Sequence, residues 1–174
     1  MINYQPLMLK SRSRFLSAVL LGIMTCLLFG ANTPEAKAES GGNPLVGDLS
    51  PEQLFEAFPS FAEGYVAFDA EADSIQLPLD TTVLVFFGTW CHDSEREVPR
   101  LLKLLRTAGL SEEKLMLIGL DYRKREPEGR AAQFDVQYTP TAIFLRQGVE
   151  VGRIVERPNT TLQEAIKQIF DVSI

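Results

Sequence analysis

The stretch Thr82-Val83-Leu84-Val85-Phe86-Phe87-Gly88-Thr89-Trp90-Cys91-His92-Asp93-Ser94-Glu95-Arg96-Glu97-Val98-Pro99 constrains this chain more than any other. Thr82 to Phe87 is an unbroken β-branched and aromatic run. It is too short for a free-standing helix and too apolar for a half-exposed strand, so it predicts a strand covered on both faces. A strand of that kind needs a helix or a second layer on each side, which already favours an α/β fold. Gly88 ends the run. Ser94 to Arg106 then places Val98, Leu101, Leu102 and Leu105 on one helical face.

The rest of the chain extends this unit. Ser50-Pro51 followed by Gln53 predicts an N-cap, a proline at the first helical position and a capping box for a short helix to about Phe58. Tyr65 to Phe68 and Ser74 to Leu77 are short strand candidates. Leu115 to Leu120 is a second buried strand, and Glu126 to Phe134 a helix. Thr141 to Leu145 and Val149 to Val155 form a hairpin around Gln147-Gly148. A closing helix runs from Asn159 or Thr160 through Phe170. The order predicts an α/β sandwich: a central mixed sheet flanked by helices, with early strands parallel across helical crossovers and an antiparallel final hairpin.

Lys10, Arg12 and Arg14 precede an apolar run from Phe15 to Gly30, and a polar stretch ends in Ala36-Lys37-Ala38. That succession describes a secretory signal peptide over residues 1–38. The competing reading is an uncleaved membrane anchor, although the run is shorter than the roughly 20 residues a span needs. Either way the folded part is expected outside the cytoplasm, in the periplasm or cell envelope of a bacterium. Glu39 to about Asp48 is a Gly-rich linker, and 49–174 the folded domain.

Past residue 38 the sequence keeps one cysteine, Cys91, and one histidine, His92. The exported part can therefore form no internal disulfide, although a Cys91-linked homodimer is open to it. Residues 39–80 carry nine acids and no Lys or Arg, which reads as a solvated acidic face. The acidic balance argues against nucleic acid. No metal is expected: Cys91, His92 and Asp93 are consecutive and cannot easily converge on one ion. No cofactor signature is present.

Trp90-Cys91-His92-Asp93-Ser94 behind a buried strand, with Pro99 eight residues past Cys91, resembles the thioredoxin fold. Glu97-Val98-Pro99 is similar to the Glu-x-Pro of the exported TlpA/ResA-like branch. Val136-Gln137-Tyr138-Thr139-Pro140-Thr141 is similar to the family's cis-proline loop. The resemblance spans roughly residues 80–172. It implies a thioredoxin-like three-layer sandwich in which Cys91 is the nucleophile, Thr139 and Pro140 face it, and Trp90 lies in the substrate-binding surface. Three departures accompany it. Ser94 stands where the family has its resolving cysteine. Val85 and Leu117 fall where thioredoxins carry a buried carboxylate and a buried lysine that move a proton for that second thiol. The three losses are mutually consistent.

A cysteine at a helix start sits where free amide groups favour the thiolate. Protonated His92 would add to this, Asp93 would oppose it, and Ser94 is expected to hydrogen-bond the sulfur. Such a thiol can form mixed disulfides with protein or small-molecule partners, but Ser94 cannot release them. The expected function is thiol–disulfide exchange through one cysteine. A non-catalytic binding or chaperone module in the envelope, and a glutathione-dependent monothiol oxidoreductase, are the alternatives. Arg123-Lys124-Arg125, after the second core strand, is placed on the side of the sheet that carries Cys91, where it would be a solvated loop or an attractor for an anionic thiol or acidic partner.

Overall fold

The computed structural model describes residues 42–71 and 75–171. The expected signal peptide lies outside the described residues, as does part of the strand expected at Ser74–Leu77; the described portion of that segment forms no strand.

The elements are β1 (Gly47–Leu49), α1 (Pro51–Ala57), α2 (Pro59–Ala67), β2 (Thr81–Phe87), α3 (His92–Thr107), β3 (Leu115–Gly119), α4 (Arg130–Gln133), β4 (Thr141–Arg146), β5 (Val149–Val155) and α5 (Leu162–Asp171). A 3-10 turn, Glu112–Lys114, leads into β3. The five strands form one sheet in the order β1-β3-β2-β4-β5. β2 and β3 are parallel; β1 runs antiparallel to β3, β4 to β2 and β5 to β4. The mixed sheet flanked by helices is the sandwich the sequence predicts.

β2 is central, and its alternation feeds two cores. Val83, Val85 and Phe87 join Leu54, Phe61, Leu102, Leu105 and Ile166, from α1, α2, α3 and α5. Leu84 and Phe86 join Ile118, Ala131, Val136 and Ile143 on the other face, which α4 and its flanking loop cover. Burying both faces of one strand is what requires its continuous apolar sequence.

Four expectations need correction. Tyr65–Phe68 is not a strand but the end of α2 and its cap. Pro59 at the first helical position starts that helix, and its face buries Phe61. Gly64 lies against Pro99 of α3: an added Cβ would meet Pro99 Cγ at 3.0 Å. The expected helix at Glu126–Phe134 shrinks to Arg130–Gln133, because Gly129 takes a left-handed φ of 71° and the Glu126 carboxylate accepts from the N–H groups of Glu128 and Ala131, the second of which a continuous helix would use itself. That short helix explains the third correction. Four residues span about 6 Å, too little to carry the chain back across the sheet, so β4 enters beside the end of β2, with Thr141 opposite Phe86, and runs antiparallel to it. The acidic N-terminal face is less purely solvated than expected. Asp48 pairs with Arg130 at 2.5 Å, Glu52 with Arg106 at 3.5 Å and Asp80 with Arg146 at 3.1 Å.

β1 lies where the sequence suggests linker; three residues are too few to show a period. The capping box at Ser50 is complete: Gln53 N–H donates to Ser50 Oγ and Ser50 N–H to Gln53 Oε1. The β4–β5 hairpin turns through Gln147 at φ 52° and Gly148 at φ 80°, the paired positive angles that a two-residue hairpin turn requires.

Candidate functional site

β2 ends at Phe87 and the chain turns through Gly88-Thr89-Trp90. Cys91 N–H donates to Gly88 O at 3.0 Å, closing the turn, and Cys91 O accepts from Glu95 N–H at 3.0 Å, opening α3. Cys91 is thus the N-cap of a 16-residue helix, with extended backbone (φ −96°, ψ 120°) and no side-chain cap bond. The helix starts at His92, earlier than the apolar periodicity shows, because its first turn carries polar residues, His92, Asp93, Ser94 and Glu95. The Cys91 side chain is half-buried and free of disulfide, and its S–H donates to the Thr139 carbonyl at 3.1 Å. Free amide groups at this helix start favour negative charge beside the sulfur.

The Thr139-Pro140 peptide is cis. Thr139, Pro140 and Thr141 are buried. Pro140 O is already occupied by Glu156 N–H at 2.7 Å, while the Thr139 carbonyl points to the sulfur. The loop therefore presents Thr139, not Pro140, as the polar backbone group at Cys91.

Ser94 departs from expectation. It is fully buried, and its Oγ accepts the Gly88 N–H at 3.3 Å instead of bonding Cys91. Its place at the third helical position turns the hydroxyl under the strand-to-helix turn. His92 is exposed and its side chain has no hydrogen bond or ion pair among the described residues. Asp93 is held by Arg96 at 2.5 Å, so the acid that would oppose an anionic sulfur already has a cation.

Trp90 packs across the other side of the turn. Its Nε1–H donates to Leu120 O at 3.1 Å and its ring lies 5.4 Å from that of Tyr122. Gly88 is required here by space: an added Cβ would lie 2.5 Å from Trp90 Cε2. Tyr122 and Tyr138 are both exposed, so aromatic surface flanks the site on the β3 side and on the Thr139 side. Neither tyrosine is marked in the sequence, since a lone Tyr in a polar loop has no periodicity. Glu97 is buried and paired, with Arg96 Nε at 2.7 Å and Arg100 at 3.9 Å. It lines a small crevice with Pro140, Ala142 and Leu162. Its hydrogen bond is the leading cause that holds the Arg96 guanidinium above its ordinary value.

Val85 and Leu117 prove to be register partners across β2 and β3, and both are buried. The two apolar residues therefore belong to the same patch of core. A charge at either one alone would be buried without a partner. Among the described residues no group of three or more His, Cys, Asp or Glu could hold a metal ion.

The strand order, the strand directions and the cis-proline loop facing a cysteine at a helix start settle the architecture. The chain has a thioredoxin-like fold. Solved structures similar to it include the thioredoxin of Fasciola hepatica (26% identity, TM-score 0.39, covering 51% of this chain and 79% of that one). Others are mitochondrial thioredoxin 3 of Saccharomyces cerevisiae (22%, 0.39, 60% and 98%) and the germline-specific thioredoxin Deadhead of Drosophila melanogaster (18%, 0.39, 69% and 94%). No protein-family model matches the sequence, and no curated protein sequence matches it.

Proposed function

We propose that this protein carries out thiol–disulfide exchange through Cys91 alone, as an exported TlpA/ResA-like member of the thioredoxin superfamily. One observation carries the reading. A half-exposed thiol sits at the N-cap position of a long helix and meets the carbonyl that precedes a cis proline, while the position three residues on holds a buried serine. Amide groups at the helix start stabilise the Cys91 thiolate. It attacks a substrate disulfide, joins one substrate sulfur and expels the other as a thiolate. Trp90 and Thr139 line the approach. His92 adds positive charge when protonated.

Release of that mixed disulfide requires a thiol from outside the site. Ser94 carries no thiol, and the Val85–Leu117 patch holds no group to move a proton for one. Isomerisation by a thiol of the substrate, or release by a small thiol, completes the cycle; net dithiol reduction by the protein alone does not occur.

The test is the rate at which Cys91 reacts with iodoacetamide at neutral pH, compared with a free cysteine peptide. Faster reaction is expected, falling towards the peptide's rate once the protein is unfolded in denaturant. A folded rate at or below that of the peptide supports instead a thioredoxin-fold binding module for which the thiol is dispensable.

A further inference from the structure

The loop after β3 and the segment around α4 line an open cavity of about 520 Å³, bounded among others by Arg123, Lys124, Arg125, Asp135 and Gln137. Its charges are unevenly balanced. Arg125 is paired with Asp121 at 3.0 Å. The buried Glu126 carboxylate, which also lines the cavity, accepts two amide hydrogens and has Arg130 at 3.7 Å. Asp135 accepts from Gln137 at 2.6 Å and lies in the field of Arg153. Arg123 and Lys124 have no ion-pair partner among the described residues, so two uncompensated cations face the cavity. Asp121 fixes the loop that carries them, accepting the N–H groups of Arg123 and Arg125 at 2.8 and 2.9 Å, and Lys124 sits at φ 59°. The cations are thus presented on an ordered turn.

Two short chain segments link the cavity lining to the thiol site. Arg123 follows Tyr122, whose ring packs on Trp90. Gln137 lies two residues before Thr139, whose carbonyl touches Cys91 Sγ. At no more than about 3.6 Å per residue, with the reach of the Thr139 carbonyl and its contact to the sulfur added, the Gln137 backbone lies within roughly 13 Å of the sulfur, a span that a molecule of short-peptide size bridges.

We propose that this cavity binds the carboxylates of a small anionic thiol, the co-reactant that releases substrate from Cys91. The inference rests on the mixed-disulfide reading above and names what that reading leaves open. With its carboxylates between Arg123 and Lys124, the small thiolate reaches the substrate sulfur of the Cys91–S–S–substrate bond. A new bond forms between the small thiol and the substrate sulfur, the Cys91–substrate bond breaks, and its electron pair leaves on Cys91 Sγ as a thiolate. One disulfide is consumed and one formed, so no other oxidant or reductant takes part.

The test starts from the full protein carrying Cys91 as a mixed disulfide with a neutral cysteine peptide. Release is followed by mass spectrometry with three thiols: glutathione (anionic), 2-mercaptoethanol (neutral) and cysteamine (cationic). Comparing wild type with Arg123→Gln/Lys124→Gln for each thiol cancels intrinsic nucleophilicity. The double variant is expected to be released about three- to tenfold more slowly by glutathione, unchanged with 2-mercaptoethanol and faster with cysteamine. Arg123→Lys/Lys124→Arg should retain the wild-type rates. In wild type alone, raising the salt concentration should slow glutathione selectively, because charges are largely screened beyond about 10 Å at 0.1 M. Equal effects on all three thiols, or a salt-independent glutathione rate, would overturn the anionic site while leaving the single-cysteine reading intact. Failure of Cys91 to form the starting mixed disulfide with any peptide disulfide would overturn both.

Discussion

Ser94 Oγ accepts the amide hydrogen of Gly88 at 3.3 Å, so Ser94 is bonded into the turn that holds Cys91. The serine is more than a missing thiol. It satisfies a buried backbone donor that would otherwise have no partner, and such donors are costly to orphan. A serine at position 94 thus offers no thiol and supports the turn that carries Cys91.

Ser94→Ala leaves the Gly88 N–H buried and unpaired. A loss of about 1–3 kcal/mol is expected, read as a lower midpoint in urea unfolding with an unchanged slope. Cys91 should remain alkylatable in the folded variant. A neutral effect on stability would show that the Gly88 bond contributes nothing.

Ser94→Cys places a second sulfur three residues after the first, where side chains on a helix are about 5–6 Å apart, within reach of disulfide geometry after small adjustment. The variant is expected to form an internal disulfide, seen as the loss of two hydrogens by mass, and to acquire dithiothreitol-driven reduction of protein disulfides. Disulfide formation without reductase activity would locate the remaining deficit at the apolar Val85–Leu117 pair.

Gly88→Ala drives a methyl group into Trp90, 2.5 Å from Cε2. The ring must leave its place, breaking its bond to Leu120 O and its contact with Tyr122. Trp90 is the sole tryptophan of the chain, so its emission reports the site directly. A red shift is expected, together with altered Cys91 reactivity. An unchanged emission maximum would contradict the packing described here.

Glu126 supplies a pH dependence. Burial by itself would raise its carboxyl, but the N–H groups of Ala131 and Glu128 and the Arg130 charge outweigh it and hold the group below its ordinary value of 4.5. A carboxyl lowered by folding contributes stability that is fully present above the unfolded value and disappears as pH falls through the folded one. Urea-unfolding midpoints of wild type and Glu126→Gln, measured at a series of pH values from neutral downward, should therefore converge as pH falls below about 4.5. At neutral pH the variant is expected to be less stable by about 1–3 kcal/mol. A constant gap at every pH would contradict the assignment.

Residues whose role is repetitive are legible in the sequence. The run at β2, the hairpin at Gln147-Gly148 and the capping box at Ser50 each follow from a local rule, and the structure has all three. The site was legible in part. Trp90, Cys91, Thr139 and Pro140 stand out through their resemblance to thioredoxin motifs, and the structure brings Cys91 and the Thr139-Pro140 loop together. What a single strand of text does not show is direction. Whether the Ser94 hydroxyl points at Cys91 or at Gly88 depends on the curvature of one turn. Tyr122 matters only because β3 delivers it beside Trp90. Tyr65 to Phe68 reads as a strand by composition, yet Pro59 and the packing of Gly64 on Pro99 make it the end of a helix, where tertiary contact overrides residue preference.

The central claim is that Cys91 takes up substrate and does not let it go unaided. The most direct measurement incubates the reduced protein with a peptide disulfide, removes excess reagent and follows the covalent adduct by mass spectrometry. The account predicts one peptide attached at Cys91, stable until an external thiol is added, and no adduct in Cys91→Ala. No adduct on the wild type, or an adduct that disappears without added thiol, would contradict it.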